Sequence, residues 1–133
     1  MIESSTEIRV RYAETDKMGI VYHGNYFTWF EIARIQMLDE LGYPYRDLEA
    51  KGYLLPVMEV SAQYIRPARF DDRVTLFLKI PDRPSAKITV HYDAYRGQER
   101  LMTGTTVHAF MSPAGQAIRP PKDLLALMKP YYA

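Results

Sequence analysis

Between Asn25 and about Leu41 the chain reads NYFTWFEIARIQMLDEL, with apolar side chains at Tyr26, Phe27, Trp29, Phe30, Ile32, Ala33, Ile35, Met37, Leu38 and Leu41. The run predicts a helix, and one too densely apolar for a single buried stripe. A helix that is apolar nearly all round must be covered nearly all round. Gly42, placed as a C-terminal cap, and Pro44 end it. The polar segment from Tyr45 to Lys51 predicts another helical turn or two.

The rest of the chain alternates with a period of two, which marks strands. Ahead of the helix, Ile8 to Tyr12 is a strand-like run. Behind it, Tyr53 to Arg66 sets Met58, Val60, Ala62 and Tyr64 on one face and Val57, Glu59, Ser61, Gln63 and Ile65 on the other. The turn PARFDD leads to a strand from Arg73 to Ile80, and PDRPS to another from Lys87 to Tyr95. The turn RGQE makes a hairpin with Leu101 to Met111, and after SPAGQ a short helix over Pro120 to Met128 starts on prolines, which suit a first turn. The expected architecture is one α+β domain over residues 1–133, an antiparallel sheet of about five strands with one long helix inserted after the first. A single sheet covers such a helix on one side only. A second subunit, hence a homodimer at least, is therefore expected.

Charge and composition remove several classes of function. The formal net charge is +1, with Lys and Arg scattered rather than striped, which argues against a nucleic-acid partner. No apolar run approaches the ~20 residues that a membrane-spanning helix needs, and MIESSTEIRV has no signal-peptide core. A cytoplasmic location is the expectation. The absence of cysteine excludes disulfides, thiolate catalysis and cysteine metal sites. His91 and His108 fall on expected strands without ligand-like spacing, so neither metal nor cofactor is assigned.

Chemistry concentrates just ahead of the long helix. Asp16 lies in a loop that passes through Gly19 and Gly24 before Asn25 opens the helix. Helix N-termini present unpaired N–H groups and partial positive charge, so they hold anions or a developing oxyanion. An Asp in a Thr-Asp-x-x-Gly turn is also an ordinary turn residue. Gly24 is expected to permit a tight approach of the chain to the helix. Glu31, the lone charge of the first two helical turns, has Arg34 at i+3 as an intrahelical partner. Tyr22, Tyr26, Met58 and Tyr64 are first of all core and interface residues, and secondarily candidates to line a pocket.

The run Tyr12-x-x-Thr15-Asp16-x-x-Gly19-x-Val21-x-His23-x-x-Tyr26-x-x-x-Phe30-Glu31-x-Ala33-Arg34 resembles the signature of hotdog-fold acyl-CoA thioesterases of the 4-hydroxybenzoyl-CoA thioesterase type, including those linked with the Tol-Pal system. The order of helix and strands and the segment Tyr64-x-x-Pro67-Ala68 also fit. The resemblance implies a hotdog fold, hydrolysis of an acyl-coenzyme A thioester, and a site at a subunit interface of a homodimer or homotetramer. It implies Asp16 as the essential carboxylate, attacking the carbonyl or activating water, and the backbone N–H at His23, with that of Gly24, as oxyanion donor. Tyr26 and Glu31 become substrate-binding candidates, Glu31 also as the alternative catalytic carboxylate, with Glu59 behind it. Arg83, Lys87 and Arg119, in or beside turns, become candidates for the coenzyme A phosphates. Two other activities stay open: a hotdog dehydratase or hydratase, which would use a His-x-x-x-Asn-Pro arrangement that this chain lacks, and a noncatalytic acyl-CoA-binding protein.

Overall fold

The alternating runs become strands and the apolar run becomes a helix in the computed structural model, which describes residues 1–133. In chain order the elements are β1 (Ile2–Arg9), α1 (Asn25–Glu40), α2 (Tyr45–Ala50), β2 (Val57–Tyr64), β3 (Arg73–Ile80), β4 (Lys87–Arg96), β5 (Glu99–Ala109) and α3 (Lys122–Met128). The five strands form one antiparallel sheet in the order β1-β3-β4-β5-β2. Helix α1 lies across one face of it, the α+β arrangement that the sequence suggested.

Two strand assignments are corrected. The first strand spans Ile2–Arg9, not Ile8 to Tyr12, and Tyr12–Glu14 is a 3-10 turn. Its period was masked because polar side chains on the strand bond to α1: Ser4 Oγ donates to Glu40 at 2.7 Å and Thr6 Oγ1 to Gln36 at 3.0 Å. The expected Tyr53 to Arg66 strand contracts to Val57–Tyr64, with a bulge between Val57 and Glu59. A bulge adds one residue and reverses the parity of what precedes it. Val57 therefore pairs with buried His108 and shares the helix side of the sheet with Val60, Ala62 and Tyr64, against the expected alternation.

One side of α1 supplies the core. Tyr26, Trp29, Phe30, Ala33, Met37 and Leu38 are buried with inward residues of β1, β3, β4 and β5, whereas Phe27, Ile32 and Ile35 on other sides of the helix are exposed. No residue of β2 is buried. The helix reaches β4 and β5 through Phe30, whose ring stacks on Tyr92 with centroids 4.0 Å apart and planes 11° from parallel. Gly104 provides the space, since a Cβ there would stand 2.5 Å from Phe30 Cζ and 3.1 Å from the Ser61 carbonyl oxygen.

A buried polar chain starts at the same place. Arg34 Nη1 donates to the Tyr92 hydroxyl at 3.1 Å, Tyr92 and Thr106 Oγ1 are 2.7 Å apart, Thr106 Oγ1 and His108 Nε2 are 2.8 Å apart, and His108 Nδ1 is 3.4 Å from the Leu55 carbonyl oxygen. A carbonyl only accepts, which assigns the proton of the neutral imidazole to Nδ1. The donors then run from Arg34 through Tyr92 and Thr106 to Nε2. Burial first, then the Arg34 charge, pushes the His108 pKa down to about 4, against the opposing pull of the Leu55 and Pro56 carbonyls.

Two outcomes follow from these contacts. Gly104→Ala should lower stability by about 1–3 kcal/mol in denaturant unfolding, and adding Phe30→Leu should recover part of the loss; a fully stable Gly104→Ala protein would refute the close approach. His108 in the unfolded chain takes up its proton as pH falls below about 6.5, whereas in the folded chain it does so only near 4. Stability should therefore fall as pH drops from about 6.5 to 4, by up to about 3 kcal/mol. Thermal melts of His108→Gln should show a shallower slope in that window than the parent.

Candidate active site

After β1 the chain makes the Tyr12–Glu14 turn and then a loop closed by the Thr15–Val21 bridge. Within it the Asp16 N–H donates to the Ile20 carbonyl at 2.8 Å, and the Gly19 N–H to the Asp16 carbonyl at 2.9 Å. Gly19 has φ +78°, a left-handed conformation that a side chain would oppose. Asp16 Oδ1 accepts the Met18 N–H at 2.8 Å, so the turn role of this residue is real. Its second carboxylate oxygen has no protein donor and remains available for chemistry.

The loop delivers the chain to the start of α1. Asn25 N–H bonds the Tyr22 carbonyl and Phe27 N–H the Gly24 carbonyl, whereas the N–H groups of His23 and Gly24 have no acceptor within the protein. Free amides at a helix start suit a negatively charged oxygen. The Tyr64 hydroxyl donates to the His23 carbonyl at 2.8 Å and so fixes the His23–Gly24 peptide. That bond also polarises the peptide and strengthens the Gly24 N–H as a donor. Gly24 itself has φ −67°, which any residue adopts; the constraint is instead the Tyr22 ring, 2.8 Å from where a Cβ would lie.

Asp16 and His23 open onto one cleft of about 410 Å³, whose walls include Tyr26, Tyr64, Arg66 and Pro67. Tyr26 is buried against Trp29, and burial, partly offset by the Ala68 N–H, pushes its pKa up to about 12. It is a neutral wall of the cleft at physiological pH rather than a base. The exposed His23 ring lies beside Tyr22, with centroids 4.4 Å apart.

Other candidates lie elsewhere. Glu31 and Arg34 line a separate hollow of about 310 Å³ between α1 and the start of β2, together with Ile35, Leu38 and Val57. The expected Glu31–Arg34 pair is not formed within 4.0 Å; Arg34 is turned to Tyr92 instead. Arg119 lines a groove with Ser85, Lys122 and Leu125, Arg83 belongs to the turn that supplies Ser85, and Lys87 opens β4. None of these three cations lines the Asp16 cleft of the same chain. Glu59 is an exposed residue of β2. His91 and His108 sit in β4 and β5.

Sequence reasoning named Tyr64 only as a secondary candidate to line a pocket, and passed over Arg66 and Glu14. Tyr64 and Arg66 belong to the cleft, and Glu14, only 6% exposed, underlies it. Burial raises the Glu14 pKa, but the Arg11 N–H, the Trp29 indole and the Arg11 guanidinium outweigh that effect and leave it below the usual value. An acid in a turn gives no sign of burial by itself; the Trp29 side chain that meets it is fifteen residues further along the chain.

A family model described as the thioesterase-like superfamily matches residues 10–128. The chain is 41% identical over 103 residues to a Bacillus subtilis (strain 168) protein named "Putative acyl-CoA thioesterase YneP", covering 77% of this chain and 75% of that one. The solved structure of a DHNA-CoA thioesterase from Staphylococcus aureus aligns with a TM-score of 0.93 at 32% identity, over 98% of this chain and 91% of the other. A 4-hydroxybenzoyl-CoA thioesterase solved with 4-hydroxybenzoyl-CoA aligns with a TM-score of 0.85 over 96% and 99% of the two chains; at 19% identity it speaks for the fold alone.

Proposed function

The chain belongs to the thioesterase-like superfamily, and from that premise we propose that it hydrolyses acyl-coenzyme A thioesters at the Asp16 cleft. The observation that carries this reading is one cleft lined both by Asp16, with a carboxylate oxygen that has no protein donor, and by His23, whose N–H, like that of the adjoining Gly24, is unbonded. The thioester carbonyl oxygen would accept from those amides as it gains negative charge, which is where a fixed donor accelerates acyl transfer most. The Asp16 carboxylate would attack the carbonyl carbon, or take a proton from a water whose oxygen attacks it. In either case a C–O bond forms, the C–S bond breaks, and coenzyme A leaves as a thiolate that needs no strong general acid. In the first route water then hydrolyses the mixed anhydride on Asp16 and restores the carboxylate; in the second the free acid is formed directly. His23 acts through its peptide, and its ring is dispensable.

The acyl-CoA enzyme is a homodimer or homotetramer in this reading, with sites completed between copies. Its support is the apolar surface that one chain leaves open: Val57, Val60 and Tyr64 on the helix side of β2, and Phe27, Ile32 and Ile35 on α1, are all more than a third exposed. An open edge strand beside such a surface invites pairing. Arg83, Lys87 and Arg119 then serve the coenzyme A phosphates from a neighbouring copy, and Glu31 a substrate group in the hollow beside α1. No helix is long and apolar enough to cross a membrane, which accords with action in the cytoplasm.

Thiol release from a panel of aromatic, short-chain and long-chain acyl-CoAs tests the activity. Asp16→Asn should fold normally and lose about 100-fold or more in kcat, while His23→Ala should keep most of it. Near-parental turnover by Asp16→Asn would sink the mechanism. Val60→Lys should shift the protein to monomer in sedimentation velocity and abolish thiol release; an intact oligomer would contradict the role given to β2.

A further inference from the structure

Glu14 is the one buried carboxylate of the chain, and no part of the hydrolysis just described uses it. Its Oε1 accepts the Arg11 N–H at 2.8 Å and its Oε2 the Trp29 indole N–H at 2.7 Å. Its backbone carbonyl accepts both the Tyr22 N–H at 2.9 Å and the Asn25 side-chain amide at 2.7 Å. The four bonds have a common geometry. Residue 14 stands two positions before Asp16, while Tyr22 and Asn25 flank the His23–Gly24 peptide, and Trp29 is one turn further along α1.

We infer that Glu14 is a positioning residue that holds the Asp16 loop and the oxyanion-binding start of α1 in one register. The inference rests on the Asp16 reading above. The carbonyl fixes the far end of the loop and the carboxylate fixes the helix, so a shift of α1 along its axis would have to break both. A reacting carboxylate and an oxyanion donor must meet the same carbonyl group, and misplacement by about 1 Å can cost on the order of 100-fold in rate. The carboxylate is also specific in its chemistry: two donors converge on it, and an amide has only one acceptor oxygen. Glu14→Gln would therefore leave either the Arg11 or the Trp29 N–H facing another donor.

Trp29 is the only tryptophan in the chain, so its fluorescence reports this contact directly. Glu14→Gln, assayed well below its melting temperature, should shift the Trp29 emission and lower kcat about 10-fold or more, with KM for the acyl-CoA substrate within about two-fold of the parent. Asn25→Ala breaks the same clamp from the helix side without touching the carboxylate; it should lower kcat in the same sense and leave the emission in place. A Glu14→Gln protein with shifted emission but parental kcat would overturn the inference, as a purely structural contact behaves that way. Should Glu14→Gln not fold, Asn25→Ala decides: parental kcat in that folded variant overturns the positioning role. Asp16→Asn measured alongside separates the two claims. An active Asp16→Asn refutes the Asp16 reading whatever Glu14 does, whereas an inactive Asp16→Asn beside a fully active Glu14→Gln refutes only the role of Glu14.

Discussion

Helix α1 rests on the sheet through Phe30, and the rest of the molecule is arranged around that contact. The ring stacks on Tyr92 of β4 and fits over Gly104 of β5, so the helix axis comes closer to the strands than it could above a side chain at position 104. Burying one phenylalanine contributes about 2–3 kcal/mol, and an offset aromatic pair adds about 1 kcal/mol. The geometric effect is larger than the energetic one. The first turns of α1 lie beside the loop that leaves the end of β1 and carries Asp16, where Asn25 and Trp29 both bond to Glu14. Tyr92 serves twice, since its face meets Phe30 while its hydroxyl joins Arg34 to Thr106 and His108. Packing and polar order therefore depend on the same side chain.

Rigidity at Phe30 does not by itself align a loop with a helix terminus. That alignment needs polar contacts, because only hydrogen bonds define direction to within a fraction of an ångström, whereas apolar contact tolerates sliding. Burying a carboxylate is costly unless donors replace its water. At Glu14 the Trp29 indole and the Arg11 amide do so, with the Arg11 guanidinium 3.5 Å away at the surface. Placing this acid beneath the first turns of α1 also sets a negative charge near the positive end of the helix dipole, which favours it.

Most of the architecture was legible because it rests on period and turn chemistry. The dense apolar run that became α1 and the alternation of β3, β4 and β5 came through to within a residue or two. The failures have physical causes. β1 was displaced because Ser4 and Thr6 bond to polar side chains of α1, so polar residues interrupt what would otherwise be an apolar alternation. The faces of β2 were partly exchanged because a bulge leaves no mark in hydrophobic pattern. Asp16, His23 and Tyr26 line one cleft because they lie close together in the chain, within the span of the motif. The bond from Tyr64 to His23 and the burial of Glu14 were not legible, because the first joins residues far apart in the chain and the second is not encoded in composition. Gly104 had a signal, a lone glycine within a strand, which commonly marks a close approach.

The dense apolar helix carries the last step. An α-helix with its side chains is about 10–12 Å wide, whereas five strands spaced about 4.8 Å apart present a face of roughly 20 Å or more. One helix therefore cannot cover the sheet. Here α1 lies against β1 and β3 and reaches β4 and β5 through Phe30, and the uncovered remainder is the β2 edge, where Val57, Val60, Ala62 and Tyr64 face the helix side with no buried residue among them. The bulge at the start of β2 matters for this reason: it brings Val57 onto that face and lengthens the apolar strip. The other sides of α1, with Phe27, Ile32 and Ile35, border the same opening. A layer that fits needs a second helix of similar apolar character and a strand edge to continue the sheet. In the oligomer proposed above, a second copy of this chain would supply both at once and give the surplus apolar character of α1 a physical use.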